Sequence, residues 1–220
     1  MAIKLIIFDF DGVLVDSEFI AGQTIHEILL EYGVNSNLDD VLHRFVGMHN
    51  DEMRGYLAAD VGENNVDEFL IRSKKLTDLA YAQRLSTLPH AAEILAQIKL
   101  PKCICSNSRQ SSLIYKLGIT KLDRFFTPDM LYVGSMVPNP KPAPDLYLYT
   151  AKKYNILPSE CLVIEDSVFG IRAAVAANMP VIGFYGASHC YDGYEQKLTT
   201  AGASLIFDDL LALPKLIDQF

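Results

Sequence analysis

Two aspartates one residue apart follow the first apolar stretch of the chain, in the segment LIIFDFDGVLVDS that covers residues 5–17. Side chains alternate along a strand, so Asp9 and Asp11 are expected to point to the same side. Two carboxylates placed in this way repel each other unless a cation or a substrate lies between them. The pair therefore indicates either a solvated turn after a strand or a site that binds a cation.

Further polar residues follow the later apolar stretches of the sequence. The segment CICSNS offers Ser106 and Asn107, and LVIEDS offers Glu165 and Asp166. The loop NPKPAPD carries Lys141 between two prolines, which stiffen its backbone. In open α/β sheets, ligands bind in the crevice beyond the carboxyl ends of the strands. We therefore expect these side chains to share one crevice with the two aspartates.

The residue types in this group predict metal-dependent phosphoryl transfer. Several carboxylates with no His or Cys nearby in sequence suit a hard cation bound by oxygen, most simply Mg²⁺. A carboxylate that attacks phosphorus forms an aspartyl-phosphate. This step needs positive charge around the phosphoryl group, which the cation and Lys141 can supply. Ser106 would hold phosphate oxygens, and a second carboxylate would protonate the leaving oxygen and later activate water.

The elements that must position these residues are strands and helices in alternation. Four short apolar stretches predict buried strands: IKLIIF, KCICS, CLVIE and PVIGFY. A helical pattern precedes each of the last three strands: AAEILAQIK, APDLYLYTAKKY and FGIRAAVAAN. This alternation predicts an α/β fold, a doubly wound parallel sheet with helices on both faces. Asn178 is expected to end the last of these helices in the left-handed conformation.

Residues 17–85 contain no strand pattern but several amphipathic helical patterns. Asp16 and Ser17 are expected to cap the first helix, and LDDVLHRFVG and DEFLIRSKKLTDLAYAQRL predict two more. A connection of this length predicts an inserted subdomain. We therefore expect a helical cap domain over residues 17–85 and a core domain formed by residues 1–16 and 86–220.

Composition limits the function classes further. The chain has 220 residues, half of them hydrophobic, and a formal net charge of −8 at pH 7. Without a dense basic cluster, binding to nucleic acid or to an anionic membrane is disfavoured. The apolar stretches are too short or too interrupted for a signal peptide or a membrane span. The four cysteines are expected to be buried thiols, and the protein is expected to be cytoplasmic, as a monomer or small homo-oligomer.

The order DFDGVLVDS, CSNS, KPAPD and VIEDS resembles the motif order of the haloacid dehalogenase superfamily, in the branch with a helical cap inserted after the first motif. The resemblance covers essentially the whole chain and implies a Rossmann-like core. It implies Asp9 as the nucleophile and Asp11 as the general acid and base. Ser106, with Asn107 beside it, would bind the phosphate, and Lys141 would stabilise the charge of the phosphoryl group.

The resemblance also implies a cofactor and a substrate class. The metal, Mg²⁺, would be held by Asp9, the backbone carbonyl of Asp11, and Asp166. Glu165 would either ligate the metal or accept hydrogen bonds behind it. The expected reaction is hydrolysis of a small phosphorylated metabolite through an aspartyl-phosphate, with a sugar phosphate or a phosphorylated sugar acid such as 6-phosphogluconate as the substrate.

Three alternative functions differ from this one in identifiable residues. Phosphoglucomutases of the same superfamily carry a His four residues after the first DS or DT pair, where this chain has Ala21. A dehalogenase would lack the acid and base carboxylate, which is present as Asp11. A non-catalytic binding protein with a degenerate site is disfavoured because all the motifs are intact. Hydrolysis of a phosphate ester therefore remains the leading interpretation.

Several residues outside the motifs are open to two interpretations. Arg109 either lines the crevice or begins the next helix, and His189 is expected to lie in a loop without a metal-binding pattern. Five polar residues of the cap are either solvated surface residues or residues that contact a substrate: His49, Asn50, Arg72, Lys74 and Lys75.

Overall fold

The structure, a computed structural model, describes residues 2–46, 48 and 50–220. The chain divides into two compact units, one formed by Met1–Asp16 with Ser86–Phe220 and the other by Ser17–Leu85. In the described ranges the strands, all in the first unit, are β1 (Leu5–Phe8), β2 (Lys102–Ser106), β3 (Leu131–Val133), β4 (Cys161–Glu165), β5 (Val181–Phe184) and β6 (Leu205–Phe207).

The α-helices of the described ranges are distributed over both units. The second unit contains α1 (Ser17–Glu31), α2 (Leu38–Phe45), α3 (Asn50–Val61) and α4 (Val66–Arg84). The first unit contains α5 (Ala91–Gln97), α6 (Gln110–Thr120), α7 (Asp145–Tyr154), α8 (Val168–Ala176), α9 (Tyr194–Ala201) and α10 (Leu213–Ile217). None of these helices has both the length and the apolar composition needed to cross a membrane.

The strands form one parallel sheet in the order β3-β2-β1-β4-β5-β6, which confirms the predicted α/β fold. The four predicted strands are β1, β2, β4 and β5, while the three-residue strands β3 and β6 at the two edges were not predicted. Every residue of β1 is completely buried. Parallel sheets are covered by helices on both faces, so their strands are continuously apolar rather than alternating.

The register of the sheet brings the ends of three strands to one level. Phe8, the last residue of β1, pairs with Ile104 of β2 on one side and with Ile164 of β4 on the other. From β1, the strands that follow in sequence extend the sheet first on one side (β2 and β3) and then on the other (β4, β5 and β6). Open sheets of this kind form their binding crevice at the point between β1 and β4 where this order reverses. Residues that directly follow β1, β2 and β4 therefore emerge together at that crevice.

The second unit has a hydrophobic core of its own. Ile28, Leu57 and Phe69 are completely buried in it. Complete burial of a side chain of this size stabilises the folded state by about 1.5–3 kcal/mol. Between α1 and α4, the hydroxyls of Thr24 and Thr77 form a hydrogen bond of 2.6 Å. The unit is thus held together by its own side chains.

The chain passes between the units at two neighbouring points of the first unit. The backbone N–H of Asp16 donates to the carbonyl oxygen of Ser86 at 3.1 Å, and the N–H of Leu88 donates to the carbonyl oxygen of Leu14 at 3.0 Å. The carboxylate of Asp16, which directly precedes α1, accepts a hydrogen bond of 3.2 Å from the backbone N–H of Ser188, and its capping of α1 stays a prediction. Ser17 is itself the first residue of α1.

Two smaller sequence predictions are confirmed by the backbone and by burial. Asn178 has a φ of 56°, the left-handed conformation expected after α8. Three cysteines, Cys103, Cys105 and Cys161, are buried, and Cys190 is half-buried. All four have free thiols.

Candidate active site

The Asp9 carboxylate lies directly after β1 and contacts the ammonium of Lys141. The Lys141 Nζ is 2.7 Å from Asp9 Oδ1, and it also donates to the carbonyl oxygen of Cys105 at 2.8 Å. Both residues are buried. Burial alone would lower the pKa of Lys141, but Asp9 and Glu165 outweigh that effect and raise the pKa well above its ordinary value. The lysine therefore provides a permanent positive charge beside Asp9.

Glu165, the last residue of β4, is surrounded by hydrogen-bond donors. Its Oε2 accepts from the Lys141 Nζ at 3.0 Å and from the Tyr147 hydroxyl at 3.1 Å. Its Oε1 accepts from Ser167, at 2.6 Å from the hydroxyl and 3.3 Å from the backbone N–H. A Cβ at Gly170 would lie 2.0 Å from the Glu165 Cδ, so only glycine leaves room for this carboxylate. Four donors match the four acceptor positions that a carboxylate offers.

Three carboxylates form a compact cluster at the ends of β1 and β4. Asp9, Glu165 and Asp166 each offer an oxygen atom, and these atoms lie within 4.8 Å of one another. Burial, with Glu165 nearby, raises the pKa values of Asp9 and Asp166 well above the ordinary range for aspartate. Buried carboxylates at this spacing repel one another, and a divalent cation bound between them would relieve the repulsion. Oxygen donors fit a hard cation such as Mg²⁺, and Asp9 and Asp166 would be the ligands because the Glu165 oxygens already accept hydrogen bonds.

Gly12 leaves room for Asp166 at this cluster. Its φ of +77° is a conformation that other residues rarely adopt. A Cβ at this position would lie 1.9 Å from Asp166 Oδ2. The glycine directly after the two aspartates is therefore required by the close approach of the backbone to a third carboxylate.

The Asp11 carboxylate contacts two side chains that sequence reasoning missed. The ammonium of Lys116 contacts Asp11 Oδ1, and the Ser108 hydroxyl donates to Asp11 Oδ2 at 2.8 Å. Lys116 belongs to α6 and is only 2% exposed. The sequence did contain a signal, because Lys116 occupies the same helix face as the buried Leu113 and Leu117. A lysine on a buried helix face requires a charged partner.

The predicted phosphate-binding residues lie at the end of β2. The Ser106 Oγ accepts a hydrogen bond of 3.0 Å from the backbone N–H of Ser108, which leaves the proton of its hydroxyl for another acceptor. The Asn107 side chain bonds the backbone of Lys141 twice, with Nδ2 donating at 2.9 Å and Oδ1 accepting at 3.2 Å. Asn107 thus holds the loop that carries the lysine. Its contact with phosphate stays a prediction.

His189, expected to lie in a loop without metal-site spacing, contacts the carboxylate cluster. Its Nε2 lies 3.2 Å from Asp166 Oδ2, and its ring packs edge-on against Tyr194 at 5.5 Å between centroids. The residue is 2% exposed. The spacing of residues in the sequence does not predict this contact, because the loop after β5 and the end of β4 become neighbours only in the folded sheet.

The described polar residues of the second unit that could contact a substrate are more exposed than the residues of the carboxylate cluster. Arg72 forms an ion pair with Glu31, and Lys74 pairs with Asp78. Lys75 is exposed. His49 lies outside the described residues, and Asn50 is the first residue of α3, with its side chain also outside the described part of the chain.

Arg109 was assigned either to the crevice or to the start of the next helix. It is exposed and immediately precedes α6. Its place before α6 fits the second interpretation, and a position in the crevice stays a prediction.

Comparison with known proteins places this site among hydrolases. The family described as haloacid dehalogenase-like hydrolase matches residues 6–184. The chain is similar to the 6-phosphogluconate phosphatase of Escherichia coli strain K12, with 28% identity over 217 residues that cover 97% of this chain and 94% of that protein. The match includes both units of the chain.

Two solved structures share the fold over nearly the whole length. A conserved haloacid dehalogenase-like protein of unknown function from Agrobacterium tumefaciens has a TM-score of 0.90 and 35% identity, and 99% of each chain is covered. A hydrolase of the same family from Deinococcus radiodurans, solved with bound phosphate and sodium, has a TM-score of 0.81 and 30% identity. There, 99% of this chain and 96% of the other are covered.

Proposed function

The chain belongs to the family of haloacid dehalogenase-like hydrolases, and we propose that it is a Mg²⁺-dependent phosphatase acting on a small phosphorylated sugar or sugar acid. The observation that carries the proposal is the meeting of Asp9, Lys141 and Asp166 at the ends of β1 and β4. The E. coli relative, named as a 6-phosphogluconate phosphatase, supports a sugar acid as the substrate class.

Asp9 is the nucleophile of this proposal. A carboxylate oxygen of Asp9 bonds to phosphorus while the bond between phosphorus and the ester oxygen breaks, which gives an aspartyl-phosphate. Lys141, 2.7 Å from Asp9 Oδ1, orients the carboxylate and offsets negative charge on the phosphoryl group. The proton of the Ser106 hydroxyl is directed to a phosphoryl oxygen.

Asp11 supplies the two proton transfers. It donates a proton to the leaving ester oxygen in the first half of the reaction. In the second half it accepts a proton from the water that attacks phosphorus, and the Asp9 carboxylate is released. The proton that Asp11 loses in the first half is therefore regained in the second half, and Asp11 ends in its starting protonation state.

Mg²⁺ would be held by Asp9, Asp166 and the backbone carbonyl of Asp11, and when bound it supplies positive charge for the phosphoryl oxygens. The hydrogen bonds of Glu165 support a different role for that residue. Its oxygens accept from Lys141, Tyr147 and Ser167. Glu165 therefore acts by holding Lys141 in place rather than by direct ligation.

The proposal is tested by phosphate release from p-nitrophenyl phosphate and from a panel of phosphorylated sugars and sugar acids, 6-phosphogluconate among them. Activity is expected with Mg²⁺, is expected to disappear after exhaustive treatment with EDTA, and is expected to return when Mg²⁺ is added. Full turnover in EDTA would contradict the metal requirement. Absence of phosphate release from every ester would contradict the phosphatase function itself.

A further inference from the structure

We infer that Lys116 of α6 is a positioning residue for Asp11, an inference that rests on the proposed function of Asp11 in proton transfer. The Lys116 ammonium contacts Asp11 Oδ1, and the Ser108 hydroxyl bonds Asp11 Oδ2 at 2.8 Å. Each of the two carboxylate oxygens thus accepts a hydrogen bond from a side chain of this region. Turning the carboxylate requires that both contacts break, so Lys116 and Ser108 fix the direction in which Asp11 faces a bound ester.

The position of Lys116 in its helix supports a role beyond packing. It lies with Leu113 and Leu117 on the buried face of α6, where the helical spacing calls for an apolar side chain. Removing an ammonium group from water is costly, and well-packed apolar replacements of buried ion pairs are often neutral or stabilising. What a lysine at this position contributes beyond a leucine or methionine is an ammonium group, which contacts Asp11 and lies 3.3 Å from the Ser108 Oγ.

The ammonium of Lys116 is also held by an aromatic ring. Its Nζ lies 5.6 Å from the centroid of Phe10, the residue between the two aspartates. A cation at this distance from a ring is attracted by the ring's quadrupole. The lysine is thereby tied to the same short segment, residues 9–11, from two directions.

Each aspartate of the first motif thus has its own lysine. Lys141 holds Asp9, and Lys116 holds Asp11. The two lysines come from different elements, the loop before α7 and the middle of α6. This separation allows the nucleophile and the proton-transfer group to be oriented independently.

The chemical consequence depends on the leaving group of the ester. An alkoxide leaves poorly unless Asp11 protonates it, whereas p-nitrophenolate leaves readily without a proton. Formation of the aspartyl-phosphate is the step that kcat/KM reports, because it releases the alcohol. A misdirected Asp11 carboxylate should therefore slow alkyl esters much more than p-nitrophenyl phosphate.

The experiment compares Lys116→Met with the wild-type protein on glycerol 1-phosphate and on p-nitrophenyl phosphate. We expect kcat/KM to fall by about 10-fold or more on the alkyl ester and by less than about 3-fold on the aryl ester, as part of the usual 10²- to 10⁴-fold worth of proton transfer. Equal losses on both esters, or no loss on either, would overturn the inference. Lys116→Gln, which is shorter and uncharged but still polar, should show the same difference if the Met variant does not fold.

A double-mutant cycle separates action through Asp11 from a general effect on folding. If Lys116 acts through Asp11, adding Lys116→Met to Asp11→Asn should produce no further loss on the alkyl ester. Losses that simply add would overturn the positioning role. The matched control is Lys102→Met, since Lys102 lies at the opposite end of β2 and its Nζ bonds the carbonyl oxygen of Ile98 at 3.1 Å.

These outcomes also distinguish the inference from the proposed function. If the wild-type protein releases phosphate from no ester, the proposed function fails and the role of Lys116 fails with it. If the wild-type protein is active and Asp11→Asn loses about 10²- to 10⁴-fold, while Lys116→Met behaves like Lys102→Met, only the role of Lys116 is overturned.

Discussion

An ion pair of the carboxylate cluster in the first unit and an ion pair of α4 in the second unit lie in opposite surroundings. In the first unit, the side chains of Lys141 and Asp9 are 4% and 10% exposed. In the second unit, those of Lys74 and Asp78 are 57% and 42% exposed. An exposed pair contributes about 0–1 kcal/mol to stability, whereas removal of one partner from a buried pair costs about 3–5 kcal/mol. The same residue types therefore constrain the sequence strongly at the carboxylate cluster and weakly on the exposed face of α4.

This contrast agrees with a division of labour between the units. Charges of the carboxylate cluster are fixed by the ends of the strands and by buried partners, which suits chemistry common to all phosphate esters. The charges of Lys74, Lys75 and Asp78 in the second unit are accessible to solvent, and each can be replaced with little effect on folding. We propose that the second unit selects the substrate and that the first unit performs the reaction.

The largest expected effect is that of Asp9→Asn. The amide has nearly the same shape as the carboxylate but cannot attack phosphorus, so turnover should fall by more than about 10⁴-fold. The measurement is phosphate release from p-nitrophenyl phosphate, with circular dichroism to show that the fold persists. A variant with kcat near that of the wild-type protein would remove the covalent mechanism from consideration.

The second effect concerns stability and compares one lysine from each unit. Lys141→Met leaves the buried carboxylates of Asp9 and Glu165 without their ammonium and should lower the free energy of unfolding by about 3–5 kcal/mol. Lys74→Met, in the exposed pair, should change it by less than about 1 kcal/mol. Urea unfolding at neutral pH measures both. Equal losses of unfolding free energy in the two variants would show that burial does not change the contribution of these ion pairs to stability.

A third effect is stabilisation by Mg²⁺ that grows with pH. The folded-state pKa values of Asp9 and Asp166 are raised above those of the unfolded chain. In the metal-free protein, their contribution to stability is therefore complete below the unfolded pKa and is lost as the pH rises through the folded pKa. Mg²⁺ binds the ionised carboxylates, so the gain on binding is greatest once both have lost their protons.

The melting temperature measured with Mg²⁺ and with EDTA tests this effect. At a Mg²⁺ concentration about 100 times its dissociation constant, the expected stabilisation is about 2.7 kcal/mol. The difference in Tm should be larger at about pH 8 than at about pH 5, and it should be strongly reduced in Asp166→Asn. An identical difference at both pH values would contradict the assignment of these two carboxylates as metal ligands.

The smallest expected effect is on selectivity, and it lies in the second unit. Lys75→Ala should lower kcat/KM for the preferred metabolite by about 10-fold, since remote contacts serve orientation as well as binding. Arg72→Ala and Lys74→Ala should have weaker effects because carboxylates of the same unit already neutralise these cations. Activity on p-nitrophenyl phosphate should change by less than about twofold in all three. A parallel loss on both esters would argue against a selective role for this unit.

The sequence predicted the strands of the central sheet because burial on both faces leaves a continuous apolar stretch, as in β1. It missed β3 and β6, whose three residues at the sheet edges are too few to form a recognisable pattern. The meeting of the ends of β1, β2 and β4 followed from one rule about parallel sheets. The fold could therefore be predicted wherever a physical pattern is local or periodic.

The parts of the site that the sequence did not reveal are contacts between distant segments. Lys116 and Asp11 are 105 positions apart, and His189 reaches Asp166 from the loop after β5. No periodicity connects such residues, and their pairing depends on how helices and loops pack against the sheet. Asn107 illustrates a related limit, because its proximity to the site was predicted but its hydrogen bonds to the Lys141 backbone were not.

The paired segments at Asp16 and Ser86 have a consequence for the entropy of the unfolded chain. Because these two residues are hydrogen-bonded neighbours, everything between them is, for the sheet, a single closed loop. The entropic cost of closing a loop grows only with the logarithm of its length, by about 0.6 kcal/mol for each doubling. The free energy of forming the sheet therefore depends only weakly on the size of the inserted unit. An inserted unit of different length at this junction would therefore leave the register of β1 and β2 unchanged.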